Sequence, residues 1–394
     1  MSSNDPDVTV VGAGLVGLAL AVSLARAGRS VTIVDRNGIA AGEARSDMPW
    51  DARVYAVSPG SAEFLRALGV WQQLSSDRIE AIEAMEIFGD AGGRLHFSAY
   101  ELGERALAWI VEHRELNAAL VAAMRTDPNI EVVAPCVPTA ISWSADSAEL
   151  RFAEGSPLTA RLIVGADGVH SWVRAQAGLL HAPRPYGQTA VVANFDIEHA
   201  HRGRAFQWFD CEEGVLAWLP LPGRHMSMVW SAPETLAADL LAAEAGKLSQ
   251  RVEMQGHSEL GKLELLTPPA AFPLSFLKLP TVVAHRLALV GDAAHGVHPL
   301  AGQGMNLGFG DAAALSAALA GFGDAVGDPG APILLESYVR RRAAQVLAMQ
   351  VATDGLNRLF GERARWLSAL RNRGMSMVDA LGPLKRMLAQ PALR

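Results

Sequence analysis

GDAAHGVHPLAGQGMNLG, residues 291–308, is the stretch on which the fold turns. An apolar, β-like segment, Leu287-Ala288-Leu289-Val290, runs before it, and residues 311–320 after it are rich in Ala and Leu, as a helix would be. The stretch therefore reads as strand, loop and helix start. Gly302 and Gly304 lack a Cβ, so the backbone there can take positive φ and come close to a ligand. The N–H groups of the first helical turn, about Gln303 to Leu307, have no intrahelical partner. They carry the positive end of the helix dipole, which favours an anion by roughly 0.3–1 kcal/mol. Asp292, just past the strand end, can accept hydrogen bonds from a chain of hydroxyls.

A second glycine-rich turn lies at the other end of the chain. Val8 to Val11 forms a short strand, Gly12-Ala13-Gly14-Leu15-Val16-Gly17 matches GxGxxG, and residues 15–27 form an apolar helix that Gly28 is placed to end. Val31 to Val34 is the next strand, closed by Asp35 and Arg36. Gly12 permits the tight turn, Gly14 lets backbone approach a pyrophosphate, and Gly17 allows close packing of helix on strand. Asp35 lies 18 residues beyond Gly17, near the spacing expected of a carboxylate on a ribose hydroxyl. This is the signature of a dinucleotide site, without a choice between FAD and NAD.

Composition bounds the rest. A chain of 394 residues with 50% hydrophobic and 19% charged residues is globular and long enough for two or three domains. The formal net charge of −7 argues against nucleic acid as a partner. Two cysteines, Cys136 and Cys211, make no disulfide framework and fit a reducing compartment as structural thiols. The start, MSSNDPD, lacks the basic region of a secretory signal, so a cytoplasmic location is expected. Residues 8–25 carry no charge and reach the length of a membrane span, but three glycines at turn spacing divide them into strand and helix.

The third informative stretch is ARLIVGADGVHSWVR, residues 160–174: a buried strand, a turn at residues 165–168, and a helix starting near Ser171, which Asp167 could cap. Together, GxGxxG, D-G-x-x-S-x-x-R (Asp167, Gly168, Ser171, Arg174) and GDAAHxxxPxxGQGMN resemble the motifs of the single-component FAD-dependent aromatic hydroxylases, the p-hydroxybenzoate hydroxylase class. Within that class the likeness is greatest to the ring hydroxylases of ubiquinone biosynthesis. It covers nearly the whole chain. The family places Glu where this chain has the shorter Asp35.

The resemblance implies FAD as cofactor and NAD(P)H as electron donor, with no second Rossmann domain for the donor and the Asp167 motif serving both. It implies FAD contacts from Gly12, Gly14, Gly17, Asp35, Arg36, Asp167, Asp292, Pro299, Gly302, Gln303, Gly304, Met305 and Asn306. Arg53, in DARVYAVSPGSAEFLRALGVW, matches an arginine beside the flavin, and Arg114 matches one that reaches the cofactor. A surface charge at Arg53 and a helix-surface ion pair at Arg114 are the plainer readings. It implies a monooxygenase: molecular oxygen adds to reduced flavin, and a phenolic, polyprenylated ubiquinone precursor is hydroxylated by the flavin hydroperoxide. Another aromatic or polyketide substrate, or a flavin-dependent reductase on the same scaffold, are the alternatives. No side chain is assigned as acid or base.

The expected fold is α/β: a doubly wound, Rossmann-like FAD domain in pieces (1–78, 105–182, 281–332), a β-sheet substrate domain (79–104, 183–280) and C-terminal helices (333–394). Residues 61–68 read as a helix ended by Gly69, and residues 79–97 as a hairpin opening the substrate sheet. Residues 110–125 read as one helix, and residues 130–133 and 151–152 as strands of a small three-stranded meander. Residues 206–209, 215–219 and 226–230 read as strands, whose Trp208, Trp218 and Trp230 line a pocket or fill the core. Residues 236–248 read as one amphipathic helix, residues 321–332 as a loop, and residues 333–360 as a long helix. His295 and His298 sit in a loop with only Asp292 beside them, short of a metal's three or four ligands. No GxSxG elbow occurs. The tail after Gly361 mixes apolar residues with six arginines and one lysine. It could lie peripherally on the inner membrane, dock onto the body, or meet a second copy or another enzyme of the ubiquinone pathway.

Overall fold

The apolar runs around both glycine turns pair into one sheet, which the computed structural model describes for residues 5–39, 48–320 and 327–393. The polar start and part of the 321–332 loop lie outside the described residues. From edge to edge the strands are Val283–Ala284, Leu287–Leu289, Leu162–Gly165, Val8–Val11, Val31–Val34 and Ile130–Val133, all parallel except the first. Val8 stands opposite Leu162 on one side and Val31 on the other. The three central strands are buried on both faces, which is why they read as unbroken apolar runs without alternation. The helices Leu15–Arg26, His113–Arg125 and Gln303–Leu319 cover one face. An antiparallel meander, Pro138–Trp143, Ala148–Phe152 and Leu158–Ala160, covers the other with the short helix Trp172–Gln176. Gly28, at φ 81°, ends the first helix as its position predicts.

Two expectations change here. Ile130–Val133 is not part of the meander; it is the edge strand beside Val31–Val34, because a short β-branched run joins whichever edge its loop can reach. Residues 110–112 are not helical: Ala108–Glu112 is the middle strand of a three-stranded sheet between Val54–Val57 and Glu80–Ile82, and the helix begins at His113.

The second large sheet has eight strands, built on Arg184–Ile197, Arg204–Asp210, Gly214–Leu221 and His225–Pro233, with the hairpin Ala84–Phe88 and Arg94–Ser98 added in parallel at one side. Its faces differ. One carries Trp208, Trp218, Trp230, Met226, Met228 and Phe195, packed under two helices. These are Glu234–Ala242 and Ala245–Gln255, so the single amphipathic helix expected over residues 236–248 is broken, at extended Ala243 and Glu244. The three tryptophans are core, with Trp208 and Trp218 edge to face at 4.8 Å. The opposite face turns to the Asp51 turn and the 291–308 loop: Asn194 Nδ2 donates to the Asp51 carbonyl at 2.9 Å, and Phe209 and Val215 pack on Leu300. Pro332–Gly361 is one long helix, followed by Arg365–Ala380 and Gly382–Leu393.

Candidate cofactor site

Three glycines of the first motif meet different surroundings. A Cβ on Gly12 (φ 111°) would sit 2.4 Å from the Ala166 carbonyl oxygen, and one on Gly17 would sit 2.0 Å from the Gly12 oxygen. A Cβ on Gly14 would meet nothing within 4 Å. Two glycines are thus demanded by packing, while the third borders open space. Helix Leu15–Arg26 starts at Gly14 with no side-chain cap and no acid in its first turn. Helix Gln303–Leu319 starts the same way at Gly302, at φ 64°. Neither end has a side-chain cap, so amides of the first turn face an external acceptor, Gly304 and Met305 among them in the second helix; the Gly302 N–H is held by the Pro299 carbonyl. The two helices touch: Val16 lies against Gly291, and a Cβ on Gly308 would fall 2.5 Å from Val16 Cγ2. A cradle with uncapped, acid-free helix ends at both borders fits an anionic dinucleotide.

Asp35 uses both oxygens on backbone, accepting from Ala13 N–H and Asn37 N–H at 2.7 Å each, with Arg36 exposed beside it. The shorter acid thus braces the glycine turn itself. Asp292 is exposed yet hemmed in by protein, as on the wall of a cleft. The surrounding protein raises its carboxyl pKa, against the pull of His295 and Arg53. Gly304 lies 4.0 Å from Asp292 Oδ1, measured to an added Cβ.

The loop between them is pinned from behind. Asp311 Oδ2 accepts from Gly291 N–H at 2.9 Å and pairs with His295 Nε2 at 2.5 Å, while Oδ1 accepts from Arg342 Nε at 2.7 Å. Arg342 also donates to the Leu307 carbonyl, and Arg174 to the Ala293 carbonyl at 3.0 Å. Burial opposes charge on both His295 and Asp311. Their mutual attraction wins, so the histidine pKa is raised and the aspartate lowered, with Arg342 helping the latter. Asp311, Arg342 and this role of His295 escaped the sequence reading. Only the i, i+16 and i, i+31 relations in space join them, and no local pattern marks those.

Other expected residues separate into groups. Arg53 faces Asp292 electrostatically and lies over the Tyr55 and Phe272 rings at 5.3 and 5.1 Å. Burial lifts the Tyr55 hydroxyl to about 12, partly offset by Arg53. Arg114 donates to the Pro49 carbonyl and pairs with Glu112 at 3.5 Å, on the far side of the Asp51 turn. Asn306 commits its side chain to strand Val54–Val57 and the turn after it, donating to Ala56 O at 2.8 Å and accepting from Ser58 N–H at 3.0 Å. Met305 is buried in the core, and Gln303 is buried at the helix start. Pro299 opens the 3₁₀ turn Leu300–Gly302. Asp167 accepts from the Ser171 hydroxyl and from Val173 N–H, so the capping role holds. His298 pairs with Gln188 at 2.9 Å, and burial lowers its pKa to about 4. Each loop histidine thus has a protein partner, and no group of three metal-ligating side chains occurs among the described residues.

Comparison with known proteins is consistent along the whole chain. The family described as FAD binding domain matches residues 5–353. Ubiquinone hydroxylase UbiL of Rhodospirillum rubrum is 35% identical over 387 residues, 98% of this chain and 89% of that protein. The 3-demethoxyubiquinol 3-hydroxylase of Escherichia coli is 33% identical over the full length of both. Among solved structures, PqsL of Pseudomonas aeruginosa, crystallised with 2-aminobenzoylacetate, shares the fold. Its TM-score is 0.78 at 23% identity, over 93% of this chain and 100% of that one.

Proposed function

We propose, from the premise that this chain belongs to the FAD-binding family of ring-hydroxylating monooxygenases, that it hydroxylates a prenylated phenol on the way to ubiquinone, with NAD(P)H as reductant. The observation that carries the reading is the meeting of the two glycine motifs at Val16, Gly291 and Gly308, which sets both uncapped helix ends on one cradle.

Bound FAD supplies the storage of electrons and the activation of oxygen. The chain's own residues do the rest. The turn at Gly12, Gly14 and Gly17 takes the pyrophosphate, with Asp35 stiffening it and Arg36 beside it. Asp292 accepts from the ribityl hydroxyls. Gly304, Met305 and Asn306, beside Gln303 at the helix start, offer backbone N–H groups to the anionic end of the reduced ring system; Gly302 makes the left-handed turn, its own N–H held by the Pro299 carbonyl, and Pro299 stiffens the loop above the site. Arg53 and Asp167 border the site. Arg114 acts one step removed, by holding the 49–51 turn. In this division residues 1–78, 105–182 and 281–332 carry the cofactor and 79–104 with 183–280 cover the substrate. The ring then lies between the Pro299 loop and the sheet face bearing Val215, away from bulk water.

The tail supports a contact at the membrane surface. In helix Arg365–Ala380 the inner side is polar: buried Arg371 and Asn372 hold Asp90, and Asn372 accepts from Ala91 and Gly93 N–H. The outer side presents Trp366, Leu370 and Met377 at 71%, 60% and 62% exposure. The segment after residue 360 carries seven basic residues against the acids Glu362 and Asp379, in a chain of net charge −7. Apolar outside and basic overall suits an anionic bilayer. No helix of the described residues is long and apolar enough to cross one.

The test is direct. Purified protein binds FAD and is yellow, and a prenylated phenol speeds NAD(P)H oxidation with oxygen consumed. A strain lacking the protein accumulates a ubiquinone precursor one oxygen short. Turnover that persists without oxygen makes it a reductase. Protein that takes up no FAD ends the proposal.

A further inference from the structure

A narrow crevice opens between the 210–214 turn of the large sheet and the end of the long helix. Its volume is about 40 Å³, and Gln188, Cys211, Gly214, Val215, Asn357 and Phe360 line it. Among its described lining residues there is no Lys or Arg. The carboxylate of Asp210, which also borders it, is turned back on its own loop, accepting from Glu212 and Glu213 N–H.

Three of its lining residues rest on the cofactor loop. Gln188 is bonded to His298 at 2.9 Å, and Val215 and Phe360 pack in one cluster with Leu300. His298 and Leu300 are the residues on either side of Pro299. Phe360 is buried beside the crevice, stacked on Phe209 at 4.2 Å, with the Arg371 guanidinium 5.2 Å from its ring centroid. At the outer end the chain passes Gly361 and enters the helix whose exposed side carries Trp366 and Leu370. The slot therefore adjoins the 298–300 loop through Gln188, Val215 and Phe360, and the chain that lines its far end at Gly361 continues into the helix with the apolar outer side.

Building on the ring-hydroxylase reading above, we infer that this crevice is the passage through which the substrate's apolar chain leaves the ring site, with Phe360 as the side chain that yields to it. The ring alone enters the site; the chain stays in the slot and extends toward the apolar helix face. Discrimination between prenylated and unprenylated phenols is then set by burial of the first isoprene units here.

The test uses the full-length, FAD-loaded protein with Cys136→Ser, so that Cys211 is the one remaining thiol. Alkylation of Cys211 by N-ethylmaleimide is timed with 2-methoxyphenol and with the same phenol bearing a geranyl chain. The geranyl phenol slows alkylation several-fold and 2-methoxyphenol leaves it unchanged. Separately, Asn357→Trp narrows the mouth. The ratio of kcat/KM for the geranyl phenol to that for 2-methoxyphenol falls by about tenfold, the effect of denying burial to one or two methylenes. Equal alkylation with both phenols, or an unchanged ratio, overturns the passage. If neither phenol stimulates NAD(P)H oxidation, the hydroxylase reading fails, and Cys211 protection alone then decides whether the slot binds the chain.

Discussion

Gly308→Ala tests the join between the two glycine motifs, and two effects of opposite sign compete there. Gly308 lies inside helix Gln303–Leu319, where replacing glycine by alanine ordinarily stabilises by roughly 0.5–1 kcal/mol through lower backbone entropy. The added Cβ, however, would stand 2.5 Å from Val16 Cγ2 and 3.3 Å from Gly291 Cα. Valine is branched at Cβ and held to few rotamers on a helix, so it cannot swing aside and the backbones must part. Overpacking of this kind costs roughly 1–3 kcal/mol, which outweighs the propensity gain. The net expectation is a loss of about 1–2 kcal/mol in urea unfolding, with FAD affinity weakened about tenfold as the cradle widens. Val16→Ala removes the two nearest methyl atoms and by itself costs roughly 1–2 kcal/mol. The double variant should be less destabilised than the sum of the two, by about 1–2 kcal/mol of coupling. Flavin fluorescence titration gives the dissociation constant and urea unfolding gives the stability of all four proteins. Gly308→Ala protein that is as stable as the parent, or strictly additive effects, would refute the close approach.

Further outcomes follow from the same geometry. Asp311→Asn leaves His295 and Arg342 without their buried counter-charge and removes one of the two acceptor oxygens they share with Gly291 N–H. It should cost about 3–5 kcal/mol, read as a lowered thermal midpoint. His298 titrates near 6.5 when unfolded and about 4 when folded, since burial disfavours its charge. The unfolded state therefore takes up the proton first, and stability falls by about 2 kcal/mol between pH 7 and pH 5 through this group. His298→Gln should remove that part of the slope. His295 has the opposite sign: its pKa is raised, so its contribution is present at low pH and is lost as pH rises through the folded value. Arg371→Ala unties the tail from Asp90 and from the Leu359 and Glu362 carbonyls, so trypsin should cut after residue 361 sooner than in the parent, with the body left intact. If Trp366→Glu with Leu370→Glu sediments with anionic liposomes as well as the parent does, the membrane contact is wrong.

The sequence by itself determined what is local. GxGxxG and the loop at residues 291–308 dictate strand, tight turn and helix start within a few residues. Glycines 12, 28 and 302 do adopt the positive φ that such turns require. Periodicity and turn residues likewise marked a hairpin over residues 79–97 and the long helix that ends at Gly361; the hairpin itself is Ala84–Phe88 with Arg94–Ser98, while Glu80–Ile82 pairs with Ala108–Glu112 in the other sheet. Tertiary structure decided everything that depends on which segment meets which. Residues 110–112 continue the helix on paper, yet become a strand because Val54–Val57 and Glu80–Ile82 flank them. Asn306 matches a cofactor motif, yet its side chain anchors Ala56 and Ser58, 250 and 248 residues away. The tail helix has an ordinary amphipathic pattern, but Asp90 turns its polar side inward and leaves the apolar side out. Backbone conformation is set by a residue and its near neighbours, whereas a buried charge or amide goes wherever the folded chain offers a partner, and that partner has no fixed distance in sequence.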